Sequence, residues 1–140
     1  MERTLRMGRV GPYQLQAAIA AVHDEAPTFE ATDWPQILGL YEVLGRLTPS
    51  AVISLNRAVA LAMVAGPAAG LAAVDALAAD PAMADYRFFH SARADLLRRL
   101  ECWAEAADAY RRALVLAANG PERAFLERRL GEVRGRALAG

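Results

Sequence analysis

The sequence predicts an all-α superhelix: one domain of 140 residues built from stacked antiparallel helix pairs and closed by a C-terminal capping helix. Three observations predict it. Alanine, the best helix former, fills 32 positions. No stretch alternates apolar and polar residues long enough to specify a strand. And a unit repeats: Arg57-Ala58 returns as Arg93-Ala94, 36 residues on, with Leu61 returning as Leu97, Gly66 as Cys102, Gly70 as Ala106 and Val74 as Tyr110. One step further back, Trp34, Leu38 and Tyr41 fall where Gly70, Val74 and Leu77 project. A single helix pair cannot bury its apolar face alone, so such units stack.

Proline marks where the helices start. Gly11-Pro12, Thr48-Pro49, Gly66-Pro67, Asp80-Pro81 and Gly120-Pro121 each set Pro near a first helical position, where its missing N–H costs nothing. Asp33-Trp34-Pro35-Gln36 has the spacing of a capping box. Helices are expected near 12–26, 34–47, 50–65, 68–79, 84–99, 103–117 and 121–137, with the first few residues reading as the end of an earlier helix. The longest loop, 27–32, falls inside the first pair, and the short connections elsewhere force antiparallel neighbours. Ile37, Leu38, Tyr41 and Leu44 form one apolar stripe, and Val52, Leu55, Val59 and Met63 a second. A third runs through Leu126, Leu130, Val133 and Ala137, and its small last residue suits a solvated cap.

Residues 90–121 carry the most specific signal. They read as helix, tight turn and helix, with the small-aromatic-small spacing Ala106, Tyr110, Ala113. That is the second-helix signature of a tetratricopeptide (TPR) repeat, whose period of about 34 residues lies close to the one seen here. Function is therefore expected in surfaces offered to partners rather than in catalytic groups.

Composition narrows the classes. Sixteen Arg balance 16 acidic residues, and there is no Lys. The charge is split, since residues 1–86 hold 5 Arg against 9 acids (net −4) and residues 87–140 hold 11 Arg against 7 acids (net +4). Such a split allows head-to-tail self-association or a homodimer, while solvated helix faces are its plainer explanation. Cys102 is the single cysteine and reads as a spectator thiol at an interhelix turn, in keeping with a reducing compartment. No apolar run follows Met1-Glu2-Arg3-Thr4, and the longest, Ala58 to Ala65, is too short for a bilayer, so a soluble cytoplasmic protein is expected.

Catalytic and metal sites are not expected. His23-Asp24-Glu25 point about 100° apart on a helix and do not converge. His90 has no Cys or His at ligand spacing and reads as a packed residue. There is no phosphate loop, His-Glu-x-x-His pattern or nucleophile elbow. Neither an enzyme nor a bound cofactor is expected. The Arg-rich stretch from Arg123 to Arg136 is interrupted by Glu127 and Glu132, and reads as a charged cap before it reads as a nucleic-acid binder. Arg57 and Arg93 occupy equivalent places where the repeat usually has an apolar residue, and a guanidinium there needs acceptors. Either each pairs locally, or the two face an acidic segment of a partner with Asn56 completing a polar site. Asn56, Arg57 and Arg93 are the candidate partner-binding residues. Trp34 and Tyr41 read as core.

Several blocks go beyond a generic repeat. Gly11-Pro12-Tyr13-Gln14-Leu15-Gln16-Ala17-Ala18-Ile19-Ala20-Ala21-Val22-His23, Thr32-Asp33-Trp34-Pro35-Gln36-Ile37, Leu47-Thr48-Pro49-Ser50, Leu55-Asn56-Arg57-Ala58-Val59-Ala60 and Ala92-Arg93-Ala94-Asp95-Leu96-Leu97 occur in this order. Together they resemble the C-terminal TPR-like extension of a group of bacterial extracytoplasmic-function (ECF) RNA polymerase sigma factors. The resemblance covers nearly the whole chain. Sigma factors of this group carry two N-terminal promoter-binding domains that have no counterpart here, so the chain resembles a fragment, and promoter reading does not transfer to it. What the resemblance implies is a regulatory interaction module whose partners are sigma-factor domains or RNA polymerase, without DNA binding by this chain alone. A stand-alone peptide-binding adaptor is the alternative.

Overall fold

The computed structural model describes residues 11–26 and 31–139. Among these residues there are eight helices and no strand: α1 (Pro12–Glu25), α2 (Trp34–Leu47), α3 (Ala51–Ala65), α4 (Pro67–Asp75), α5 (Pro81–Ala84), α6 (Arg87–Arg99), α7 (Trp103–Val115) and α8 (Gly120–Ala139). The residues read as the tail of an earlier helix and most of the loop 27–32 lie outside the described residues.

Side-chain caps start the helices where the sequence places them. Asp33 Oδ1 accepts from the Gln36 N–H at 3.1 Å. Ser50 Oγ accepts from Val52 and Ile53, Asp80 Oδ1 from Ala82 at 2.9 Å, and Asn119 Oδ1 from Glu122 at 2.8 Å. Each satisfies N–H groups that a helix start leaves without an internal partner.

The helices pack in chain order. α1 lies on α2, α2 on α3, α3 on α4, α4 on α6, α6 on α7 and α7 on α8, with a lighter contact between α3 and α6. The core divides into three clusters. Leu15, Ile19, Ile37, Leu40 and Leu44 join α1 and α2. Leu55, Ala58, Val74, Met83, Phe89 and Leu96 fill the space between α3 and α6. Leu97, Ala106, Tyr110, Ala113, Leu126 and Val133 join α6, α7 and α8. Ala106, Tyr110 and Ala113, singled out by their spacing, are all buried.

Two expected helices are shorter than the sequence pattern suggests. The helix expected over 84–99 begins only at Arg87, and a short separate helix, α5, ends at Ala84 before it. His90, buried on α6, spans the junction, its Nε2 2.8 Å from the Ala84 carbonyl at the end of α5. The expected helix 68–79 ends at Asp75, and tight turn bonds carry the chain on, with Leu77 N–H donating to Val74 O and Asp80 N–H to Leu77 O.

The second apolar stripe is also placed differently. Of Val52, Leu55, Val59 and Met63 only Leu55 is buried, while Val52 and Val59 are 37% and 38% exposed. The packed face of α3 is instead Leu55, Ala58 and Ala62, because small residues let α4 approach most closely. Gly70 on α4 completes that contact. A Cβ built there would collide with the Ala62 Cβ and lie 3.2 Å from the Ala58 carbonyl oxygen. Gly70→Ala is therefore expected to overpack the α3–α4 contact and lower stability by about 1–3 kcal/mol. Chemical denaturation measures this, and an unchanged midpoint would contradict the close approach.

α6 ends in a Schellman motif, with Cys102 N–H donating to Leu97 O at 2.9 Å and Glu101 N–H to Arg98 O at 3.0 Å. The residue that must turn left-handed is Glu101, at φ 61°, where glycine is the usual choice. Glu101→Gly should raise stability by roughly 1 kcal/mol, seen as a higher Tm. A lower Tm would show that the Glu101 side chain contributes something glycine cannot replace.

Candidate functional site

Helices α1, α3, α6 and α8 line one side of the molecule, and two clefts open there. The first, about 430 Å³, is walled by Leu55, Val59, Phe88, Ala92 and Phe125, with Tyr86, Ser91, Asp95 and Tyr110 supplying its polar groups. The second, about 440 Å³, is walled by Ile19, Ala20, Tyr41, Leu44, Val52 and Ile53, with Gln16 and His23. Asn56 belongs to both, so the clefts adjoin along α3.

The lining follows the sequence period. Gln16, Ala20 and His23 on α1 return 36 residues later as Val52, Asn56 and Val59 on α3, and again as Phe88, Ala92 and Asp95 on α6. All nine positions line a cleft. Within each helix they stand at i, i+4 and i+7, which is one face of an α-helix. The groove is thus a repeated face left uncovered by the packing. Phe88 at 49% and Phe125 at 45% exposure are large apolar groups open to solvent there.

A polar cluster sits under the first cleft. Asp95 receives Arg98 Nη2 at 2.6 Å and Arg99 Nε at 2.9 Å, so both of its oxygens are engaged. Burial pushes the Tyr110 phenol above its ordinary value, against the opposing effect of its hydrogen bond with Arg98. Burial also raises Tyr41 in the second cleft. Guanidinium groups lie over both exposed rings, Arg87 over Phe88 at 4.7 Å and Arg129 over Phe125 at 5.5 Å. Arg87 Nε lies 3.2 Å from Glu122, linking α6 to α8, and Arg129 donates to Glu132 at 3.1 Å.

The three candidate residues separate. Asn56 is exposed at the junction of the clefts and makes no side-chain hydrogen bond to the described residues. Arg93 points away from the groove. Its Nε donates to Asp75 Oδ1 on α4 at 2.8 Å, and it lines a separate recess with His90 and Arg112. Arg57, half-buried, lines neither cleft. The position equivalent to Asp75 is Gly39, so Arg57 has no matching carboxylate to pair with. The local-pairing alternative therefore describes Arg93, and a shared face with Asn56 describes neither arginine. Sequence reasoning missed Phe88, Phe125 and the groove role of Val52 and Val59. The signal was available, because the offset that links Arg57 to Arg93 also links Val52 to Phe88. His23 stacks edge-on to Trp34 at 5.3 Å. Among the described residues no three His, Cys, Asp or Glu side chains gather as a metal site, and no helix is long and apolar enough to cross a membrane.

No family model matches the sequence. A stretch of 130 residues is 44% identical to an uncharacterized protein of Rhizobium meliloti (strain 1021). The match takes in 93% of this chain and 30% of that protein, so the chain spans less than a third of its relative's length.

The buried phenols give the site a pH signature. Because folding raises the pKa of Tyr41 and Tyr110, the folded state favours their neutral forms. The stability they lend is complete below pH 10.0 and is lost as the pH rises through their folded values. Unfolding followed against alkaline pH should show this loss, and Tyr110→Phe should shrink it. An identical slope in the variant would place the phenol in water.

Proposed function

We propose that the chain is the regulatory protein-interaction module of a bacterial ECF-type RNA polymerase sigma factor. In this reading it is a TPR-like superhelix of three helix pairs and a capping helix, acting in transcription initiation through contacts with sigma domains or polymerase. The observation that carries the interaction role is the groove, nine lining positions on three helices at a constant spacing of 36. Stacked helix pairs create extended inner surfaces of this kind, and the solenoid architecture uses them to hold partner segments. The groove is apolar and rimmed by polar groups, a composition suited to a protein surface. The sigma-factor part rests on the ordered sequence blocks. It is supported by a relative more than three times the matched length, in which such a module would be one part of a larger protein.

No catalysis is assigned to the groove. The first cleft has one carboxylate, already engaged by two arginines, and no nucleophile set beside a base. The module would regulate by holding a neighbour in place.

The test is direct association. The purified chain is mixed with bacterial RNA polymerase core and, separately, with the two promoter-binding domains of an ECF sigma factor that naturally carries such an extension. Co-elution with either at micromolar concentration is expected, with a change in run-off transcription when the chain is added. A promoter fragment alone should not bind it. Absence of association with both proteins would remove the sigma-factor reading.

A further inference from the structure

The two clefts differ in charge. On the helices flanking the first, α6 carries four arginines against Asp95 alone, and α8 carries five arginines against three glutamates. On those flanking the second, α1 carries Asp24 and Glu25, and α3 carries only Arg57. The positive excess reaches the first cleft itself, since the guanidiniums of Arg87 and Arg129 lie over its two exposed rings. The carboxylates close to it are already taken: Asp95 by Arg98 and Arg99, Glu122 by Arg87, and Glu132 by Arg129. Arg87 Nε already faces Glu122, while the buried Nε–H groups of Arg98 and Arg129 have no hydrogen-bond acceptor among the described residues. An apolar floor whose two exposed rings each carry a guanidinium fits one kind of occupant.

Resting on the interaction reading above, we propose that the first cleft docks an acidic segment of a partner protein. A bulky apolar side chain of that segment sits between Phe88 and Phe125, over Val59. Its flanking Asp or Glu carboxylates meet the Arg87 and Arg129 guanidiniums, whose planar forks suit them. A space of about 430 Å³ is of the size that specific sites use. The exposed Asn56 amide stands at the exit towards the second cleft, where it can hold a backbone peptide group with both its donor and its acceptor. The cation on each ring gives specificity: a basic segment would bring like charges together over the same aromatic faces. Sequence-tolerant binding of single-stranded nucleic acid is disfavoured by the carboxylates set among these arginines.

The test uses the whole chain and a small panel of fluorescein-labelled synthetic peptides, each with one Phe, Trp or Leu between Asp and Glu residues. Their counterparts carry Lys in place of the acids. Fluorescence polarisation should show saturable binding of the acidic peptides, weakened roughly tenfold between 50 and 500 mM NaCl. The Lys peptides should not bind at the same concentration. Val59→Glu should weaken acidic-peptide binding by about tenfold or more, because it sets a carboxylate in the floor, whereas Val59→Lys should weaken it less, because its charge attracts the flanking acids. Phe125→Ala tests the anchor, with a loss of about tenfold expected. Circular dichroism and Tm show whether each variant is folded. Equal affinity for acidic and Lys peptides, equal loss in Val59→Glu and Val59→Lys, or binding to none of the panel would overturn the proposal. So would displacement of bound peptide by a single-stranded DNA oligonucleotide at equal concentration. If polymerase or sigma domains associate equally well with wild type and Val59→Glu, the sigma-factor reading stands and the first cleft is not its contact. If the acidic peptides bind but neither protein associates, the cleft assignment stands and the sigma-factor reading fails.

Discussion

The arrangement depends on how closely α3 and α4 approach. Gly70 meets Ala58 and Ala62 with no room for one more carbon. Two helices can come this near only where one of them gives up its side chain. Once the alanine face of α3 is committed to that contact, the valines seven residues apart on the same helix have nowhere to go but outward. The groove is therefore not a separate invention laid on the fold. It is the face left over when the small residues take the packing.

The charged groups divide along the same line. Arg93 and Asp75 join α6 to α4 on the outer side, half-exposed, where an ion pair contributes little. Asp95, Arg98 and Tyr110 lie between the inner surface and the core, where burial makes their mutual satisfaction matter more. One turn of α6 thus separates a surface pair from a network that holds the floor of a cleft.

Much of this was legible in the sequence. The helix starts after Asp33, Ser50 and Asn119 were, because these caps act on N–H groups only two or three residues away, and local chemistry is written locally. The burial of Ala106, Tyr110 and Ala113 was legible because a small-aromatic-small spacing has few uses. The break before Tyr86 was not, since nothing at Asp85 announces it and the contact that spans it, His90 to the Ala84 carbonyl, joins residues six apart. The groove was half legible. The offset of 36 found the equivalent positions, but apolarity alone did not tell an open face from a packed one, and the valines of α3 read as core. Arg57 and Arg93 illustrate the limit of equivalence. Identical residues at identical positions differ in partner because Asp75 on one neighbouring helix is Gly39 on the other.

The division of the core into three clusters bears on how the chain folds and yields. The clusters are built mostly from helices close in sequence; α3 stands between the first and second, and α6 with Leu71 of α4 joins the second to the third. Ordering one layer requires little loop closure, so contact order is low and folding can begin in any layer and spread to its neighbours. The same locality works in reverse. Loosening that starts within one layer stops at a shared wall. Amide exchange along such a chain would rise in steps rather than in a single jump.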